Sequence, residues 1–115
     1  MILLLTSDLM FQSRISSVAR AADRTFISER STAKLIDRVT APEQVSLILI
    51  DLTLASIDLP LEIPILKKVF VNGKVFAYGP HVDVDRLQLA NDSGADSVLT
   101  RGQMDRDMVA IIAGV

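Results

Sequence analysis

The chain has 115 residues, half of them hydrophobic and 4% aromatic, with a formal charge of −2. That is enough for one domain and too little for two, and a core built from Leu, Ile, Val and Ala suits buried parallel strands covered by helices. With no cysteine there is no disulfide framework, thiol nucleophile or thiolate metal site, and the charge balance offers no basic face for nucleic acid.

The first apolar run, Ile2 to Leu5, is too short for a signal core and no basic region precedes it. Nothing approaches the length of a membrane span. The run is therefore read as a buried first strand of a single cytoplasmic domain covering residues 1–115. Ser7 or Asp8 caps a first helix whose apolar positions Phe11, Ile15, Val18, Ala19 and Ala22 follow three- and four-residue spacing. Thr25 to Ser28 is short and β-branched, an edge strand. Ser31 and Thr32 open a second helix with Leu35, Ile36 and Val39 inward, stopped by Pro42.

Val45 to Ile50 is almost continuously apolar, as a strand covered on both faces must be. Glu62 to Val71 is expected to be the third helix, with Pro64 in its first turn and Asn72-Gly73 as its stop. Lys74 to Tyr78 forms the fourth strand. Val84, Leu87 and Ala90 lie on one face of a fourth helix ending near Gly94, with Asp83 or Asp85 at its positive end. Ser97 to Thr100 is the fifth strand, and Met104, Met108, Ile111 and Ile112 mark a closing helix from Gln103 to Val115. The methionines are at core or interface spacing. Strands alternating with helices imply right-handed crossovers and a parallel sheet with helices on both faces, ordered 2-1-3-4-5. Function in such a sheet sits in the crevice at the carboxyl ends of the strands.

Asp51 stands at that crevice, directly after the apolar strand. Its plain reading is a polar cap for the following loop. Yet an apolar strand ending in Asp at this distance from the first strand, together with Ser93 to Arg101 (SGADSVLTR), resembles the receiver domain of bacterial response regulators over nearly the whole chain. The resemblance implies a flavodoxin-like fold, with Asp51 at the phosphoacceptor position. It also sets out departures. Where the family has acidic metal ligands after the first strand, this chain has Thr6 and Ser7, with Asp8 one place later. The family's hydroxyl residue after the fourth strand is Gly79, followed by Pro80, and glycine has no donor to give. The family's lysine after the fifth strand is Arg101, expected to pair with Asp51 through its fork. The proline after that lysine is Gly102, and the aromatic switch on the fifth strand is Val98.

Thr6, Ser7, Asp8, Gly79 and Arg101 thus form a degenerate pocket around Asp51. No catalytic residue, resident metal or cofactor is expected beyond weak binding of Mg²⁺. Asp8 is read as a helix cap, with a metal contact as the alternative. The resemblance implies a non-enzymatic signalling or scaffolding domain that meets a protein partner through its fourth helix, fifth strand and fifth helix, with a homodimer as one form. Two other readings remain open: a divergent single-domain response regulator phosphorylated on Asp51 by a histidine kinase, and a small-molecule binder or enzyme using the crevice around Asp51, His81 and Arg101. His81 is a lone loop histidine, and His81, Asp83 and Asp85 alternate in direction as they enter a helix, which disfavours a metal set.

Overall fold

In the computed structural model, which describes Met1–Val115, strands and helices alternate from end to end. The strands are β1 (Ile2–Leu5), β2 (Phe26–Glu29), β3 (Leu47–Asp51), β4 (Lys74–Gly79) and β5 (Ser97–Thr100). The helices are α1 (Leu9–Ala21), α2 (Thr32–Arg38), α3 (Leu59–Val69), α4 (Val84–Asp92) and α5 (Arg101–Ala113). All five strands form one parallel sheet in the order β2-β1-β3-β4-β5, the flavodoxin-like arrangement expected.

The two central strands, β1 and β3, are buried at every residue, which is why they read as unbroken apolar runs. Side chains alternate between the faces of a strand. Leu3, Leu5, Ile48 and Ile50 therefore pack with Leu35, Ile63, Leu66 and Phe70 on the side of α2 and α3. Ile2, Leu4, Leu47 and Leu49 pack with Phe11, Ile15, Met104, Met108 and Ile112 on the side of α1 and α5. The same alternation carries Thr6, two residues beyond Leu4, and Asp51, two beyond Leu49, to the rim above the second core. Tyr78 belongs to this core and is the ladder partner of Asp51.

Several boundaries differ from the sequence reading. Helix α3 starts at Leu59 rather than Glu62, which puts Pro64 in its interior. Two features outweigh the rung lost at that proline. Leu59 joins Ile63 and Leu66 in the buried stripe, and the Asp58 side chain accepts the Leu61 N–H while the Glu62 carboxylate takes the Asp58 N–H. Helix α5 starts at Arg101, because Thr100 and Gln103 cap each other's backbone in a reciprocal box. Val84 faces solvent rather than the core; at the positive end of α4, as expected, Asp83 is the cap and Asp85 lies in the first turn. No helix is long and apolar enough to cross a membrane.

Candidate functional site

Asp51 closes β3 and is 1% exposed, so its carboxylate is held inside the protein at the edge of the crevice. A buried carboxylate requires hydrogen bonds to every oxygen, and this one has them. The Thr6 hydroxyl donates to Oδ2 at 2.6 Å, and the Thr53 N–H and hydroxyl donate to Oδ1 at 3.0 and 2.7 Å. Thr6 is itself buried, and its Oγ1 accepts the Asp8 N–H at 3.0 Å. Thr6 is thus turned onto Asp51 itself. Thr53 was not singled out from the sequence. Its signal is local: a threonine two residues after an Asp is placed to return its own N–H and hydroxyl to that carboxylate.

Arg101 does not reach Asp51. It pairs with Asp8, Nη2 to Oδ2 at 2.8 Å, and its guanidinium lies over the Phe11 ring, 4.7 Å from the centroid. The reason lies in the helix ends. Arg101 opens α5 and Asp8 caps α1, where its Oδ1 accepts the Phe11 N–H at 3.0 Å and leaves Oδ2 facing α5. Arg101, and after it the Phe11 N–H, hold the Asp8 carboxyl below the usual carboxylate range; Asp8 in turn raises Arg101. The expected Asp51–Arg101 pair is replaced by an Asp8–Arg101 pair, and Asp8 caps α1.

Gly79 ends β4 against the loop that follows Asp51. A Cβ placed there would lie 3.0 Å from the Leu52 Cβ and 3.4 Å from its Cδ1. Leu52 therefore fills the space in which a hydroxyl-bearing side chain at 79 would stand. The Tyr78 hydroxyl is buried beside Thr6 and Asp51 with no hydrogen-bond partner, and burial, reinforced by the Asp51 charge, pushes the phenol upward. Ser7 and His81 are exposed and join none of these contacts. Gly102 lies in the first turn of α5, and Val98 packs against the α2 and α3 core.

A divalent cation such as Mg²⁺ needs several free oxygens in tight geometry. Both oxygens of Asp51 and both of Asp8 are engaged by protein donors, and no three acidic or histidine side chains converge anywhere in the chain. The residues present do not fit the ion.

Arg86 is a further residue the sequence reading passed over. From α4 its Nε donates to the Leu52 carbonyl at 3.1 Å, and its Nη2 donates to the Leu54 and Ile57 carbonyls at 3.2 and 3.0 Å. One guanidinium thus holds three carbonyls of the loop that begins after Asp51. The clue in the sequence is faint: Arg86 stands four residues before buried Ala90, on an inward stripe. The molecule's cavity lies away from this crevice. It is an apolar groove of about 260 Å³ between α1 and α5, lined by Val18, Ala21, Ala22, Val109 and Ala113.

No family model matches the sequence, and no curated protein matches it. Solved structures do. The beryllofluoride-activated receiver-domain dimer of NtrC4 superposes with a TM-score of 0.74 at 16% identity, covering 96% of this chain and 91% of that one. A response regulator from Thermotoga maritima gives 0.71 at 16% identity over 99% and 97% of the two chains. A protein described as a pilus assembly protein, CpaE, from Burkholderia thailandensis gives 0.70 at 16% identity over 99% and 98%. Likeness at this identity speaks to architecture, and on that ground the chain has the fold of receiver domains.

Proposed function

We propose that this chain is a signalling or scaffolding domain of receiver fold that works by contact with a protein partner in the cytoplasm, its Mg²⁺-dependent phosphorylation impaired. The observation that carries this reading is the closed shell of Asp51: both oxygens are occupied by Thr6 and Thr53. An acceptor has to present a free oxygen to the incoming phosphoryl group, with a cation to offset the charge that builds up. Here the two oxygens take three donors between them, one on Oδ2 and two on Oδ1, and the Asp8 carboxylate is paired with Arg101. Loss of the metal's charge stabilisation alone, several kcal/mol, slows transfer by orders of magnitude at about 1.4 kcal/mol per factor of ten.

Among the neighbours in fold, one is described as a pilus assembly protein and others as response regulators, so the partner is sought among assembly components and signalling proteins alike. The partner would meet α4, β5 and α5. The competing reading, a response regulator phosphorylated on Asp51, draws on that residue's place at the carboxyl end of β3. Incubating the protein with a small phosphodonor and Mg²⁺, followed by intact-mass measurement, separates the two. The expected spectrum shows the unmodified mass. A stoichiometric phosphoryl adduct that disappears in Asp51→Asn overturns the contact reading and establishes its rival.

A further inference from the structure

We propose that Arg86 is the positioning residue for the Asp51 shell and the link through which the state of that shell reaches α4. The inference takes the Asp51 crevice as the functional centre, as above, but needs no phosphorylation. Its basis is one peptide unit. The Leu52 carbonyl and the Thr53 N–H belong to the same rigid, planar amide. The N–H donates to Asp51 Oδ1 at 3.0 Å, and the carbonyl accepts from Arg86 Nε at 3.1 Å. A rotation of that plate that frees Asp51 therefore tears the carbonyl from Arg86 as well.

The next contacts extend the link. Arg86 Nη2 holds the carbonyls of Leu54 and Ile57, on the far side of Thr53. The side chains of Leu52, Leu54 and Ile57 are buried, so this stretch is anchored by both its side chains and its carbonyls, while Thr53 alone turns to Asp51. Arg86 forms no ion pair with a carboxylate. Its charge and its planar fork are committed to the loop, and a lysine, a point donor on a flexible stem, cannot reproduce that arrangement. Gly79, at the end of β4, has no side chain to offer a parallel route.

The test is a set of substitutions read by amide hydrogen exchange on the full chain. Thr53→Val removes the hydroxyl from Asp51 Oδ1 and keeps the branched shape. With Arg86 intact it is expected to raise exchange several-fold at Arg86 and Leu87, in the first turn and a half of α4. In Arg86→Met and in Arg86→Lys backgrounds, the same change at Thr53 is expected to leave α4 exchange where the background alone put it. If Thr53→Val leaves α4 unchanged with Arg86 present, or alters α4 equally in all three backgrounds, the inference is overturned. Arg86→Lys keeps the charge and the bulk of the side chain, so the comparison survives if Arg86→Met folds poorly. No phosphodonor enters the experiment, so its outcome is independent of the adduct measurement.

Discussion

Gly79 shows how one missing side chain is tied to a neighbour's placement. Its hydrogen faces Leu52 Cβ at a distance where an added carbon is crowded, and that neighbour is the root of a side chain 2% exposed. Gly79→Ser is therefore expected to destabilise the fold by about 1–3 kcal/mol, the usual cost of forcing extra atoms into a packed site. Urea denaturation checks this, and a variant as stable as the parent would show that Leu52 yields freely. Tyr78 makes a complementary point. Its ring lies 4.9 Å from that of Phe11, tilted by 40°, yet its hydroxyl goes without a partner, because the Thr6 hydroxyl beside it donates to Asp51 and accepts from the Asp8 N–H. The carboxylate, the group costlier to leave unpaired, takes the donor.

At the level of elements, the ends of α1 and α5 are joined by the Asp8–Arg101 pair, and the start of β4 is tied to α3 through Asp96. Burial alone would raise the Asp96 carboxyl, but the Val75 N–H and Lys67 outweigh it, so both carboxyls titrate below their ordinary range. A lowered carboxyl contributes stability that is fully present above its unfolded value, about 4, and is lost as pH falls through the folded value. Denaturation midpoints should therefore hold steady near neutrality and fall below about pH 4. Asp8→Asn, which keeps much of the cap, should flatten part of that acid limb. The sites are partly open to water, so the ion pair's share is under about 1 kcal/mol; an unchanged limb would mean that the pair adds nothing. The strands were legible in the sequence because burial on both faces leaves a continuous apolar run, as in β1 and β3. The start of α3 was hidden, because its decisive residues are an acid cap and one leucine ahead of two prolines. Asp51 was legible as the residue ending an apolar strand. Its partners were not: Arg101 was assigned by chain position, whereas its target depends on which Asp8 oxygen the α1 cap leaves free. Arg86 bonds to carbonyls, and backbone acceptors leave no residue pattern to read.

For the whole molecule, the apolar groove between α1 and α5 is separate from the crevice at the strand ends, and Val109 beside it is exposed. The proposed partner face on α4, β5 and α5 shares α5 with that groove. We propose that the chain pairs with a second copy, and light scattering across working concentrations should give twice the monomer mass; a monomer throughout removes the dimer. The closed shell around Asp51 also bears on any attempt to engineer an acceptor here. An acid introduced at Thr6 would stand against a buried carboxylate and remove the donor to its Oδ2, and a hydroxyl introduced at Gly79 would collide with Leu52. Each change made alone runs uphill, so opening this carboxylate to an incoming group takes concerted rewriting of the strand ends and of the segment that lies between them.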